Sequence, residues 1–126
     1  MNGHGEPGAR LSGRGNPRSG LDFVVMLTGT TKNGMRVRIR FVPDKLLLDA
    51  SVLDSYLGAL PTAARDAPEG LALAVLDDIN NDIVPRWVQI VVDADVSSGG
   101  GTHAVVVEDR QPNWENTAIL ANLPSL

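Results

Sequence analysis

Asn33-Gly34, followed by Arg36-Val37-Arg38-Ile39-Arg40-Phe41, is the stretch on which the fold of this chain turns. Asn and Gly both tolerate φ > 0, so the dipeptide signals a two-residue type I′ turn. Behind it, Val37, Ile39 and Phe41 alternate with Arg36, Arg38 and Arg40. A period of two puts the apolar residues on one side of a strand and the arginines on the other. Ahead of it, Phe23 to Thr28 is an apolar, β-branched strand candidate. The two runs predict a β-hairpin with one apolar face.

Further along, Pro43-Asp44 breaks the second strand, and Leu53, Leu57 and Leu60 recur at helical spacing over Ala50 to Leu60. Pro61 ends that helix. A second helix is expected near Asp66-Ala67-Pro68-Glu69, with Asp66 as cap, proline in the first turn and Glu69 three residues after the cap. Leu71, Val75, Ile79 and Ile83 then form an i, i+4 stripe, with Pro85 just beyond. Trp87 to Val92 is a third strand, Ser97-Ser98-Gly99-Gly100-Gly101 a flexible connection, and His103 to Glu108 a fourth strand. The order is ββααββ. It predicts an α+β domain over 21–110, an antiparallel sheet with two helices on one face. The other face is expected to be polar and the edges exposed, which invites self-association into a homo-oligomer.

Residues 1–20 are rich in Gly, Pro and Arg and are expected to form a tail, because they bury too little apolar surface to offset chain entropy. Arg10, Arg14 and Arg18 there read as solvated charges or as contacts for an anionic partner. Residues 111–126 are expected to be irregular, or weakly helical over Ala118 to Leu123.

The 126 residues carry a net charge of -4 with 43% hydrophobic and 4% aromatic side chains, so the core must rest on Val, Leu, Ile and Ala. That charge argues against a nucleic-acid partner, which needs clustered cations. With no cysteine in the chain, disulfides, thiolate metal sites and thiol nucleophiles are excluded together. No apolar run approaches the roughly 20 residues of a membrane span. The first residues lack the apolar core of a signal peptide, so the expected location is the cytoplasm.

An ordered series of short motifs resembles the nitrile reductases of queuosine biosynthesis. It comprises Asn16-Pro17-Arg18, Asp22-Phe23, Phe41-Val42-Pro43-Asp44-Lys45, Ser55-Tyr56-Leu57, Leu76-Asp77-Asp78-Ile79 and Pro85-Arg86-Trp87, with Gly99-Gly100-Gly101 where that family has an Arg-Gly-Gly turn. The resemblance covers about residues 16–108. It implies a tunnelling fold (T-fold), a ββααββ unit whose copies join into a β-barrel and bind planar purine or pterin rings between subunits. It also implies NADPH-dependent reduction of 7-cyano-7-deazaguanine through a cysteine.

The same resemblance marks departures. The cysteine belongs between the first two strands, where this chain has Gly29-Thr30-Thr31-Lys32-Asn33-Gly34. A threonine hydroxyl without a paired base is a far weaker nucleophile than a thiolate. The family's general-acid aspartate falls at or near Asn33. Its cofactor-binding glutamate and two lysines fall on Asp49, Ser51 and Asp54, and its turn arginine on Ser97 or Ser98. No cofactor is therefore expected, NADPH included. Glu69 falls on the glutamate that holds the ring, while Pro68 replaces the histidine before it.

Glu69, His103 and Tyr56 are the candidate catalytic residues; Glu69, Arg36, Arg38, Arg40 and Lys45 are the candidate ligand-binding ones. For each, a second reading stands. Glu69 suits a capping box as well as a ring, since a carboxylate accepts two parallel N–H bonds. His103 is either a surface residue or a proton-transfer group. Arg36, Arg38 and Arg40 either meet acids of a neighbouring strand or line an anionic site. Tyr56 either packs its ring in the helix layer with its hydroxyl wet or supplies acid–base chemistry with Lys45. His4 lies in the tail. Asp77, Asp78, Asp82, Asp93 and Asp95 read as solvated, and no metal site is expected.

Three functions follow. The first is a redox-independent enzyme of secondary metabolism, acting by acid–base isomerisation or cyclisation on a planar or polyketide-like small molecule in an intersubunit pocket. The second is a non-catalytic ligand-binding or scaffold oligomer. The third is reduction of 7-cyano-7-deazaguanine by descent.

Overall fold

The hairpin forms where its alternation places it. The computed structural model describes residues 10–60, 67–96 and 99–124. Among them the elements run β1 (Arg14–Gly15), β2 (Val25–Thr30), β3 (Arg36–Val42), β4 (Leu46–Leu47), α1 (Ala50–Ala59), α2 (Pro68–Asp82), β5 (Trp87–Asp95), β6 (Thr102–Arg110) and α3 (Thr117–Ala121). One antiparallel sheet has the order β2-β3-β5-β6, and β1 pairs with β4 in a separate two-stranded ribbon. The ββααββ order is as expected. The strands differ from their expected spans at one or both ends, and the ribbon was not expected.

The turn between β2 and β3 is not the expected type I′. Only Gly34 has positive φ there, at 89°. Thr31 N–H donates to the Met35 carbonyl, and Gly34 N–H to the Thr31 carbonyl. Lys32, Asn33 and Gly34 therefore form a three-residue loop with glycine at its left-handed position, the next most favoured hairpin solution. The buried Thr31 hydroxyl supports the turn, accepting from Met35 N–H at 3.1 Å and lying 2.5 Å from Asn33 Oδ1.

Pairing places Val37, Ile39 and Phe41 beside Val92, Ile90 and Val88, on the face that the helices cover. Helix α1 packs on β2, and α2 packs on β5 and β6. Gly29 permits the first contact, since a Cβ there would lie 2.7 Å from Leu57 Cδ1. The α2 stripe of Leu71, Val75, Ile79 and Ile83 is buried along its whole length. Each such side chain contributes about 1.5–3 kcal/mol by leaving water. Among the described residues no helix is long and apolar enough to cross a membrane.

Two helix ends depart from expectation. Helix α2 starts at Pro68 with Ala67 as N-cap and no side-chain cap bond, so Glu69 is its second residue rather than a capping-box third. Asp66, like Pro61, Ser97, Ser98, His4 and the rest of 1–9, lies outside the described residues. At the other end, Ile79 carbonyl accepts from both Ile83 and Val84 N–H, and Val84 has φ 53°. Glycine normally fills this position, and a β-branched residue there costs about 1–2 kcal/mol.

The face away from the helices is not uniformly polar. Arg36, Arg38, Arg40, Gln89, Asp93 and Glu108 share it with Met26, Val91, Val106 and Trp87. Trp87 on this face is nonetheless 1% exposed. The C-terminal segment returns across it, and Arg40 Nη1 donates to the Pro124 carbonyl. Nor is the first part of the chain all tail. Leu11 is buried in the core, its N–H donates to Asp82, and Arg14–Gly15 pairs with Leu46–Leu47. The packed unit thus extends to residue 11 rather than 21.

These additions are tied together at Arg86. Its guanidinium donates to Asp22 (3.3 Å), the Pro43 carbonyl (3.1 Å), Asp44 (3.0 Å) and the Ser19 carbonyl. Asp22 also accepts from Trp114 Nε1 and Asn116 Nδ2, and Asp44 from Gln111 Nε2. The three charged side chains are 18–25% exposed, too wet for the full cost of a buried ion but too dry for any one to lose its partner cheaply. Arg86→Ala is expected to cost about 2–4 kcal/mol in urea unfolding. Arg86→Lys should restore less than half of that, because a point charge cannot span two carboxylates and two carbonyls.

Candidate functional site

Glu69 and His103 meet. Glu69 lies in the open first turn of α2, and His103 is the second residue of β6, opposite Ala94 on the helix-covered side of the sheet. His103 Nε2 stands 2.8 Å from Glu69 Oε2, with the side chains 46% and 57% exposed. The resemblance implies a histidine directly before the ring-binding glutamate, where Pro68 stands here. The structure supplies an imidazole from another strand, 34 residues away in sequence.

Glu69 is held below its usual carboxylate range, first by its own backbone N–H and then by the hydrogen bond and charge of His103. A lowered folded-state value means that folding favours the ionised form. The resulting stability is present above the ordinary carboxylate range and is lost as pH falls through the lowered value. Unfolding of wild type and Glu69→Gln should therefore differ at about pH 7 and converge towards about pH 3.

Tyr56 does not join this pair, and its hydroxyl is not wet. It is fully buried between the helices and donates to Asp78 Oδ2 at 2.5 Å. Burial first, and then Asp78, Asp82 and Asp77, push its phenol far above the ordinary range, so it holds its proton as a structural donor. Tyr56→Phe should lower stability by about 1–3 kcal/mol in chemical denaturation and leave ligand binding at Glu69 unchanged.

The arginine row lies on the opposite face of the sheet. Arg36 donates to Asp93 at 2.5 Å and Asp95 at 3.1 Å, and Arg38 to Asp93 at 2.9 Å. Asp93 is 4% exposed, so its expected place in solvent is corrected: it sits opposite Arg36 in the β3–β5 register. Arg36 is held more firmly charged, by Asp95 first and then Asp93. Arg40 donates to Gln89, whose amide donates in turn to Glu108, as does Trp87 Nε1. These arginines thus meet acids and amides within one chain. Beside Arg36 and Arg38 lies a concavity of about 470 Å³, reaching Thr28, Thr30 and Asp54. Lys45 is exposed on the turn into β4, away from both places.

Two of the positions where the resemblance implies cofactor contacts carry carboxylates. Asp49, where a glutamate is implied, is paired with Arg14 at 2.8 Å, and Asp54 on α1 is a carboxylate where a lysine is implied. Among the described residues no three His, Asp or Glu side chains are grouped to hold a metal. Asp22, Arg86, Gln111 and Trp114 drew no candidate role from the sequence, because each acts through a partner 42 or more residues away. The match of Arg36 and Arg38 with Asp93 and Asp95 was signalled by equal alternation on two strands.

No family model matches this chain. Two curated relatives, NADPH-dependent 7-cyano-7-deazaguanine reductases from two strains of Acidithiobacillus ferrooxidans, are each 29% identical to it over 135 residues, covering 96% of this chain and 92% of theirs. Among solved structures, the apo form of the archaeosine synthase QueF-Like is similar over 70% of this chain and 90% of its own, at 18% identity and a TM-score of 0.47. The chain is an α+β unit of ββααββ order that resembles the 7-cyano-7-deazaguanine reductases along almost its whole length, with no cysteine anywhere in it.

Proposed function

We propose that this protein binds a planar, nitrogen-containing ring at Glu69 and moves protons on it through His103, without a thiol and without NADPH. The observation that carries the reading is the 2.8 Å Glu69–His103 contact in a chain that has no cysteine. A carboxylate offers two acceptor oxygens to the N–H edge of a purine- or pterin-like ring. An imidazole beside it can take a proton from one ring position and return it to another, so the chemistry is isomerisation or cyclisation with no net change of oxidation state. The partner is a second copy of the chain. β2 and β6 are the unpaired edges of the sheet, and the Glu69–His103 pair lies by the β6 edge. A homo-oligomer joined there would shelter an exposed pair, and the cytoplasm is its proposed location. Secondary metabolism would supply a polyketide-like substrate in place of the deazapurine.

Native mass spectrometry and calorimetry with guanine- and pterin-type rings test this. Glu69→Gln is expected to weaken ring binding about 10–100-fold, the loss of a charge-assisted pair. His103→Gln should leave binding within a few fold and abolish turnover. Unchanged binding and turnover in Glu69→Gln would overturn the reading, and empty oligomers throughout would favour a scaffold.

A second reading is favoured by the names of the curated relatives, which reduce 7-cyano-7-deazaguanine with NADPH. Mixing the protein with both compounds decides it. Loss of absorbance at the NADPH band would make the chain a reductase that works without a thiol.

A further inference from the structure

At the far end of α2 from Glu69, about 22 Å along the helix, a second concavity of about 370 Å³ opens between the turn into β4 and the helix C-terminus. Its lining is Leu46, Ile83 and Val84 with Asp44 and Lys45. That volume falls within the range of small-molecule sites, and half-exposed Val84 with part-buried Leu46 gives it an apolar wall backed by the buried Ile83. Gly13 closes one wall, passing so near that a Cβ would lie 3.0 Å from Leu46 Cβ and 3.2 Å from Ile83 Cδ1.

The two charged groups there are not equivalent. Asp44 is engaged on both oxygens, with Arg86 on Oδ1 and Gln111 on Oδ2. Among the described residues the Lys45 ammonium has no ion pair or hydrogen bond, and its backbone carbonyl accepts from Asn16 N–H. The site therefore presents one unspent charge, and it is positive. Val84 is the second anomaly. It is 50% exposed and holds a left-handed φ of 53° that glycine would adopt without strain. A strained, exposed, β-branched side chain is unexplained by packing, and lining this concavity gives it a use.

We propose that this concavity is a binding site for a small monoanion with an apolar body the size of a phenyl ring, its anionic head on Lys45 and its body on Leu46 and Val84. It is independent of the Glu69–His103 reading, since the two places lie at opposite ends of α2.

The test is an amide-resolved NMR titration of the full chain with 4-phenylbutyrate, against the neutral 4-phenylbutan-1-ol. Shifts are expected to centre on Lys45, Leu46 and Val84, with the acid binding about two- to fivefold more tightly than the alcohol, the scale of one exposed ion pair. Lys45→Met should erase that preference. Val84→Gly, which relaxes the backbone and keeps the fold, should weaken both probes. No shifts at these residues, shifts centred at Glu69 instead, or an acid preference that survives Lys45→Met would each overturn the proposal.

Discussion

Arg86 ties together four stretches of chain at one end of the sheet, where β2 enters, β3 ends, β5 begins and β6 ends. The segment entering β2 brings Ser19 and Asp22, the turn after β3 brings Pro43 and Asp44, and β5 begins at Trp87 beside it. The C-terminal segment closes the fourth side through Gln111, Trp114 and Asn116. The planar guanidinium suits this place because its donors diverge in one plane, and two carboxylates and two carbonyls can be met at once. Remove it and two partly buried carboxylates lose their cation together. The β1–β4 ribbon depends on the same place, because Asn16 bonds both the Asp44 carbonyl and Lys45.

The motifs that carry the likeness to the nitrile reductases are largely these anchors. Asn16, Asp22, Pro43-Asp44 and Arg86 form one hydrogen-bonded cluster, and Tyr56 with Asp78 forms a second between the two helices. Both clusters are architectural: they orient segments and give their polar side chains partners. Where the resemblance implies reaction chemistry, the chain departs from it. Thr31 and Asn33 bond each other in a tight turn, and Asp49 is occupied by Arg14. The residues that carry the likeness and those at which the chain departs from it are thus different sets.

Much of the fold was legible along the chain. The alternation of Arg36 to Phe41 and the stripe of Leu71, Val75, Ile79 and Ile83 are local patterns, and burial followed them. The turn type was misjudged because Asn-Gly also serves a three-residue loop once Thr31 bonds Met35. The cap was misjudged because Pro68, preset for a first turn, starts the helix without a side-chain cap. Leu11 was missed because one apolar residue among glycines and arginines carries no period, and only the groove beside Asp82 gives it a place. Of the candidate site, Glu69 and His103 were each visible, but their distance was not.

Sequence alone determined the four strands of the main sheet, the two helices on it, their order and the chemistry the chain lacks, since those follow from residue type and short-range spacing. A missing thiol is missing in any fold. Tertiary structure alone decided which charges meet: His103 with Glu69, Asp93 with Arg36 and Arg38, Tyr56 with Asp78, and Arg86 with Asp22 and Asp44. The physical reason is that an ion pair or hydrogen bond depends on ångström distances between side chains. Those distances are set by strand register and by the packing of helices on the sheet, not by separation along the chain.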